Sequence, residues 1–166
     1  MVDRATPSRR DPVSFIDAGG YDISVAAGLL GRAGEIASAA APAFRYAVIS
    51  DSNVAPLYAA SVTAQLERIG ESVPLCTIPA GEAHKNRDSW ATVTDQLLAA
   101  GLGRDSAIVA LGGGVVCDLA GFVAATFMRG VPVVHIPTTL LSMIDASIGG
   151  KTGVDTPHGK NLVGAF

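Results

Sequence analysis

A short apolar run that stops at three consecutive glycines constrains the fold of this chain more than any other feature. Residues 108–111 predict a buried strand, and after Gly112, Gly113 and Gly114 the apolar residues recur at helical spacing. Residues without a Cβ let a ligand approach the backbone, and the first N–H groups of the following helix face that ligand. The segment therefore predicts a strand, turn and helix suited to a phosphate or pyrophosphate, although a bare run of glycines is more often a tight turn.

Strand-like and helix-like segments alternate along the rest of the chain. Buried strands are predicted at residues 46–50, 73–78 and 131–136, with helices at residues 54–69 and 86–100 between them. This alternation indicates an α/β fold with a doubly wound, mostly parallel, Rossmann-like sheet that helices cover on both faces.

The amino-terminal segment carries no visible chemistry. Residues 13–25 alternate weakly around Gly19 and Gly20, which predicts a β-hairpin, and an alanine-rich helix is expected at residues 28–40. Residues 1–12 hold three arginines and two prolines without the apolar run of a signal peptide. We therefore expect a disordered leader at 1–12, one domain at 13–166, and a cytoplasmic protein.

Polar side chains follow the predicted strands at the edge where open α/β sheets bind ligands. Asp51 and Asn53 come after the first strand, where helix capping is the simpler interpretation. Glu82 can accept hydrogen bonds from ribose hydroxyls, with Lys85 supplying charge nearby, although the residues alone are equally typical of a solvated loop. Thr138 and Thr139 present two hydroxyls after the last strand, and Asp118 is expected in the first turn of the helix that follows the glycines.

Two Gly-Lys steps bracket one predicted loop near the end of the sequence. They are Gly150-Lys151 and Gly159-Lys160, with Asp145 before them and Asn161 after them. Each glycine leaves room for a phosphate or carboxylate to reach the lysine. We interpret Lys151 as a flexible residue that contributes charge to a ligand and little to the core.

Composition excludes several other classes of protein. A net charge of −3 and a pI near 5.5 give no reason to expect a nucleic-acid partner. Residues 106–128 are apolar enough to suggest a membrane span, but three glycines and Asp118 are costly in lipid, so no membrane contact is expected. Cys76 and Cys117, like the three histidines, lack metal-ligand spacing, so we expect structural thiols and no metal site.

Several long motifs in the right order make the chain resemble the 3-dehydroquinate synthase family. They are AGEAHK at 80–85, GGGVVCDLAGFVAA from Gly112, RG at Arg129, IPTTLLSMIDASIGGKTGV from Ile136, and GKNLVGAF ending at Phe166. The resemblance covers nearly the whole chain after Arg45 but only the amino-terminal half of a family member. It implies a truncated enzyme whose carboxyl-terminal helical, metal-binding domain is absent from this chain.

The resemblance also implies an activity. The full enzyme would be a lyase of the shikimate pathway of aromatic amino acid biosynthesis. It would convert 3-deoxy-D-arabino-heptulosonate 7-phosphate, a sugar phosphate, to 3-dehydroquinate and phosphate, using NAD transiently. A divalent metal, zinc or cobalt, would be held by a glutamate and two histidines beyond Phe166, and the protein would form a homodimer.

Individual roles are carried over onto matching positions only. Residues implied to bind NAD are Asp51, Asn53, Gly81, Glu82, Lys85, Gly113, Gly114, Val115, Asp118, Thr138, Thr139, Lys151 and Lys160. Residues implied to act on the substrate are Asp145, Lys151, Lys160, Asn161 and Arg129. Arg129 would reach the substrate phosphate across a dimer interface, or is simply a charge at a helix C-terminus. Cys117 departs from the family, which usually has glycine there.

Three alternatives remain. A related cyclase of secondary metabolism, making inosose or valiolone scaffolds, shares the glycine turn and the Pro-Thr-Thr segment, but the paired GGKT and GKN segments fit it less well. An iron- or zinc-dependent alcohol dehydrogenase shares the turn and fold but lacks the run that follows Pro-Thr-Thr. The chain could also be a dinucleotide-binding module without activity.

Overall fold

The computed structural model describes residues 14–17, 20–71 and 73–166. The predicted leader at 1–12 lies outside these residues, as does Gly19 of the predicted hairpin turn. The strands are β1 (Ser14–Asp17), β2 (Asp22–Val25), β3 (Arg45–Asp51), β4 (Leu75–Ile78), β5 (Ser106–Gly112), β6 (Val133–Pro137), β7 (Thr152–Thr156) and β8 (Gly159–Ala165). The helices are α1 (Ala33–Ala40), α2 (Ala55–Leu66), α3 (Arg87–Ala99), α4 (Gly114–Thr126) and α5 (Leu140–Ile144), and short 3₁₀ turns span Leu29–Arg32, Glu82–His84 and Phe127–Arg129.

Four parallel strands form the central sheet in the order β4-β3-β5-β6. From β3 the chain crosses to β4 on one side, and from β5 it crosses to β6 on the other side. The winding therefore reverses between β3 and β5, which opens a crevice at the carboxyl ends of these two strands. The predicted doubly wound, mostly parallel α/β fold is confirmed.

The two faces of the sheet bury separate apolar clusters, because side chains alternate along each strand. Ile49, Ile108 and Ala110 face α3 and α4, whereas Val48 and Val109 face α1 and α2. Every residue of β5 is buried, as expected for a central parallel strand. This packing fixes where each strand ends, and hence where the residues after it lie.

Antiparallel hairpins flank the central sheet. β1 and β2 form the predicted amino-terminal hairpin. We expected a loop between the two Gly-Lys steps, but this segment forms the β7–β8 hairpin. The hairpin packs on α4 where Gly121 faces Thr152, since a Cβ at Gly121 would collide with that side chain. Among the described residues no helix has both the length and the apolarity needed to cross a bilayer.

Candidate functional site

The glycine turn lies at the crevice between β3 and β5. β5 ends at Gly112, and α4 begins at Gly114, so the first N–H groups of the helix face the carboxyl edge of the sheet. The Thr138 N–H donates to the carbonyl of Gly112 at 2.9 Å, which joins the end of β6 to this turn. A Cβ at Gly113 would lie 3.3 Å from Cγ2 of Thr139, so a side chain here would crowd the turn. The predicted strand, turn and helix are thus present, with the geometry of an anion site.

The two threonine hydroxyls have different environments. Oγ1 of Thr139 accepts from the Ser142 N–H at 3.2 Å, and Oγ of Ser142 accepts from the Thr139 N–H at 3.3 Å, which together cap α5. Oγ1 of Thr138 is buried and has no hydrogen-bond partner within the described part of the chain. Because a buried hydroxyl without a partner is costly, Thr138 is the better candidate for a ligand contact.

Asp51 holds the turn that precedes α2. Its Oδ1 accepts from the N–H groups of Asn53 and Val54 at 2.8 and 3.0 Å, so the carboxylate is largely committed to the backbone. The expected helix cap is not formed, because α2 begins at Ala55 and its N-cap residue is Val54, without a side-chain cap. Asn53 is exposed beside it, and its side chain forms no hydrogen bond with the described residues.

A buried lysine, Lys85, forms ion pairs at the centre of a cluster of predicted cofactor residues from three separate segments. Lys85 is only 4% exposed, and its Nζ lies 3.1 Å from Asp118, 3.3 Å from Glu82 and 3.7 Å from Asp155. Lys160 reaches the same cluster, with Nζ 3.0 Å from Oε1 of Glu82. Glu82 and Lys85, which would otherwise read as an exposed loop, therefore belong to an ordered charge cluster at the carboxyl edge.

Burial and charge shift the pKa values in this cluster in different directions. Burial alone would lower the pKa of Lys85, but the hydrogen bond and charge of Asp118 and the charges of Glu82 and Asp155 outweigh burial and raise it. Burial raises the pKa of Asp118, and the contact with Lys85 only partly offsets this. The hydrogen bond from Lys160 lowers the pKa of Glu82 in spite of partial burial. Glu82 is therefore held as a carboxylate, ready to accept hydrogen bonds.

We expected Asp118 in the first turn of the helix, but it lies beyond that turn. α4 begins at Gly114, so Asp118 is its fifth residue, where the effect of the helix dipole has already faded. Its environment comes instead from Lys85 and from burial. The predicted electrostatic role was wrong, whereas the predicted location next to the glycine turn was right.

Asp155 belongs to this cluster, and sequence reasoning missed it. Its Oδ1 accepts from the Asn161 N–H at 2.9 Å, and its own N–H donates to the carbonyl of Lys85 at 2.7 Å. The available signal was its place between the two Gly-Lys steps. The sequence position alone does not indicate the contact with Lys85, which depends on the fold of the hairpin.

Lys151 and Asp145 lie close to one another on the exposed side of the cluster. A Cβ at Gly149 would be 3.5 Å from Cε of Lys151 and 3.8 Å from Oδ1 of Asp145. Both side chains are exposed. Their exposure agrees with the interpretation of Lys151 as a residue with little part in the core.

Arg129 lies at the opposite edge of the sheet. α4 starts at the carboxyl edge and its 13 residues run back for about 20 Å to the amino edge, where Arg129 follows. Arg129 and the preceding Met128 have positive φ angles of 71° and 51°, which few residues other than glycine adopt. Within one chain, Arg129 is therefore not brought to the cluster that contains Lys85.

The cysteines are buried and unreactive. Burial raises the pKa of Cys76 to about 11 and that of Cys117 to about 12, and the Cys117 Sγ lies 3.8 Å from the carbonyl of Gly112. Cys117 is thus a buried residue of α4 whose thiol contacts the first glycine of the turn. In the described part of the chain, no three His, Cys, Asp or Glu residues are grouped so that they could hold a metal ion.

The family model of the 3-dehydroquinate synthase amino-terminal region matches residues 75–166. The chain belongs to the 3-dehydroquinate synthase family. The match includes the glycine turn, Lys85, Asp118 and the whole β7–β8 hairpin, so the resemblance found in the sequence motifs is confirmed.

Known relatives of this 3-dehydroquinate synthase family member are longer than the chain. The 3-dehydroquinate synthase of Symbiobacterium thermophilum is 53% identical over 147 residues, which are 88% of this chain and 41% of that protein. The chain therefore spans about two fifths of the length of this curated relative.

Solved structures of sugar-phosphate cyclases share the fold. A 2-deoxy-scyllo-inosose synthase complexed with carbaglucose-6-phosphate, NAD⁺ and Co²⁺ is 28% identical, with a TM-score of 0.80 over 93% of this chain and 43% of that chain. The 2-epi-5-epi-valiolone synthase of Streptomyces hygroscopicus subsp. jinggangensis 5008, with NAD⁺ and Zn²⁺ bound, is 34% identical, with a TM-score of 0.75 over 93% of this chain and 42% of that chain.

Proposed function

We propose that the chain is the NAD-binding portion of a 3-dehydroquinate synthase. The whole protein converts 3-deoxy-D-arabino-heptulosonate 7-phosphate to 3-dehydroquinate and phosphate, in the shikimate pathway of aromatic amino acid biosynthesis. The observation that carries the proposal is the convergence at one crevice of the glycine turn, the Thr138 hydroxyl and the cluster around Lys85. The 53% identity with a protein named 3-dehydroquinate synthase favours this substrate over those of other cyclases.

NAD fits the residues at the crevice. The N-terminal N–H groups of α4 suit a pyrophosphate, with Gly113 and Gly114 leaving the backbone open to it. The buried Oγ1 of Thr138 lacks a partner among the described residues and can bond a ligand. Glu82, kept as a carboxylate by Lys160, can accept from ribose hydroxyls.

Bound NAD would supply reversible hydride chemistry, so the overall reaction would be an elimination and ring closure without net oxidation. The protein residues would orient the substrate and supply charged groups that bind it. Asp145 and Lys151, which both lie near Gly149, and Asn161 on β8 are the residues proposed to contact the substrate. Lys151 offers an exposed cation for a phosphate or carboxylate of the substrate.

The metal belongs to the remainder of the protein in this proposal. The structures of related cyclases hold Co²⁺ or Zn²⁺ in addition to NAD⁺. A divalent ion would polarise substrate oxygens, with ligands supplied by a carboxyl-terminal helical domain. That domain would cover the apolar side chains of Leu140, Leu141 and Ile144, which are 75%, 69% and 64% exposed.

The proposed protein is a cytoplasmic homodimer that takes a sugar phosphate as its substrate. Arg129 lies about one helix length from the crevice of its own chain, so it could approach a substrate phosphate only in another subunit. The strained backbone of Met128 and Arg129 supports a functional role for this turn.

Calorimetric titration of the chain with NAD and NADP tests the cofactor assignment. We expect NAD to bind more tightly, because the 2′-phosphate of NADP would meet the Glu82 carboxylate. Glu82→Gln should narrow this preference, and Asp95→Ala, at an exposed carboxylate of α3, should leave it unchanged. Tighter binding of NADP by the parent chain would remove Glu82 from this role.

The activity is tested by phosphate release from the heptulosonate phosphate in the presence of zinc or cobalt. We expect none from the chain alone and turnover from a chimaera that joins it to the carboxyl-terminal portion of the Symbiobacterium relative. Lys151→Ala in the chimaera should abolish turnover and leave the fold intact, because this lysine is exposed. A folded chimaera that binds NAD and releases no phosphate would contradict the proposed activity.

A further inference from the structure

Asp155 joins the hairpin to the buried lysine through contacts that the predicted site residues do not account for. The β7–β8 pairing slips between Val154 and Thr156, which takes Asp155 out of the regular ladder. Asp155 instead forms an isolated parallel bridge with Asn86, and its N–H donates to the carbonyl of Lys85 at 2.7 Å. The irregularity thus re-aims Asp155 from its hairpin partner to the segment that carries Lys85.

The Asp155 carboxylate contacts both candidate cation segments. Oδ1 lies 3.7 Å from Nζ of Lys85 and accepts from the Asn161 N–H at 2.9 Å. Asn161 has a positive φ of 55°, a conformation that asparagine tolerates better than most residues and that a hydrogen bond to its N–H helps to hold. The preceding Lys160 then reaches Glu82 at 3.0 Å.

We propose that Asp155 is a positioning residue of the cofactor site. It fixes Lys85 and the Lys160-Asn161 step relative to one another and does not itself contact the ligand. The side chain is 18% exposed and is occupied by protein partners, so its role is exerted through Lys85 and the Asn161 N–H. This inference rests on the proposed NAD site.

Loss of the Asp155 carboxylate should matter more through the hydrogen-bond acceptor that it removes than through its charge. Lys85 keeps Asp118 and Glu82 as closer carboxylate neighbours, at 3.1 and 3.3 Å, whatever happens at position 155. The Asn161 N–H, in contrast, has Asp155 Oδ1 as its acceptor. Replacing Asp155 by asparagine retains an acceptor oxygen, whereas alanine removes it.

Calorimetric titration with NAD of Asp155→Ala, Asp155→Asn and the matched control Asp95→Ala tests the proposal. We expect affinity for NAD to fall about tenfold in Asp155→Ala, a loss typical of removing a group that orients a ligand-binding residue. Asp155→Asn should stay within about threefold of the parent, since it keeps the acceptor. Asp95→Ala should bind as the parent does.

Hydrogen exchange separates positioning from general stability. In Asp155→Ala the Asn161 amide should lose protection while β3 and β5 amides keep theirs, and Asp155→Asn should restore the Asn161 amide. Equal NAD affinity in Asp155→Ala and the parent would overturn this proposal alone. Loss of protection throughout the sheet in both variants would also overturn it, by making Asp155 structural. A parent chain that fails to bind NAD would overturn the proposed function and this proposal with it.

Discussion

The central sheet and the β7–β8 hairpin both contribute residues to the candidate site, but they are held in place by different sets of contacts. The sheet places the glycine turn and Thr138, and its middle strand β5 is buried along its whole length. The hairpin places Lys160, Asn161 and Asp155, and much of β8 is exposed, with Leu162 62% accessible. The sheet is held by apolar burial, whereas the hairpin buries Val154 in the core and is further held by close packing at Gly121 and by polar contacts with Lys85.

This difference separates the stability of the fold from the assembly of the site. Apolar burial is non-directional and involves many residues, so loss of one sheet side chain weakens the whole domain. The polar contacts of the hairpin are few and specific, so loss of one of them should loosen only the hairpin. The glycine turn and the charge cluster can therefore be perturbed independently.

The largest effect is expected from a change within the sheet. Ile108→Ala should lower the free energy of unfolding by about 3 kcal/mol, because Ile108 is fully buried in β5 and truncation leaves a cavity. Ile69→Ala, at a side chain that is 44% exposed, is the matched control and should cost much less. Urea unfolding followed by circular dichroism measures both. A similar loss in the two variants would show that the sheet core is not the main source of stability.

A smaller and local effect is expected where the hairpin meets α4. Gly121→Ala should cost about 1–2 kcal/mol, because the added Cβ collides with Thr152 and forces the hairpin away from the helix. Hydrogen exchange should rise in β7 and β8 and remain low in β5. Gly31→Ala, where an added Cβ meets nothing within 4 Å, is the control. Unchanged exchange in β7 and β8 would mean that Gly121 does not seat the hairpin.

The sheet could be predicted from the sequence because its strands are continuous apolar runs bounded by turn signals. Residues 46–50 and 108–111 fall inside the observed β3 and β5, which extend only one or two residues further at each end. Asp51 was expected to cap a helix and instead holds the turn just before α2, since such side-chain contacts to nearby N–H groups depend on local geometry. Local sequence patterns were therefore enough to predict the central sheet and the glycine turn.

The hairpin and the charge cluster could not be predicted in the same way. Glycines and polar residues interrupt the alternation in β7 and β8, so the segment read as a loop. The role of Asp155 depends on a slipped register and on Lys85, which lies 70 positions earlier in the chain. The position of Arg129 depends on the direction in which α4 runs. Each requires the topology, which residue patterns do not specify.

The smallest effect is expected at His135, which lies on β6 between the sheet and the hairpin. Burial lowers the pKa of His135, and its Nδ1 is buried with no hydrogen-bond partner among the described residues. A lowered folded pKa means that the unfolded chain binds the proton first as the pH falls. His135 therefore leaves stability intact above its unfolded pKa of about 6.5 and reduces it as the pH drops below that value. His135→Leu should remove this part of the pH dependence, and His158→Leu, at an exposed histidine, should retain it. Urea midpoints between about pH 7.5 and about pH 5.5 measure the difference, and parallel curves for the parent and His135→Leu would show that His135 is not the source of this pH dependence.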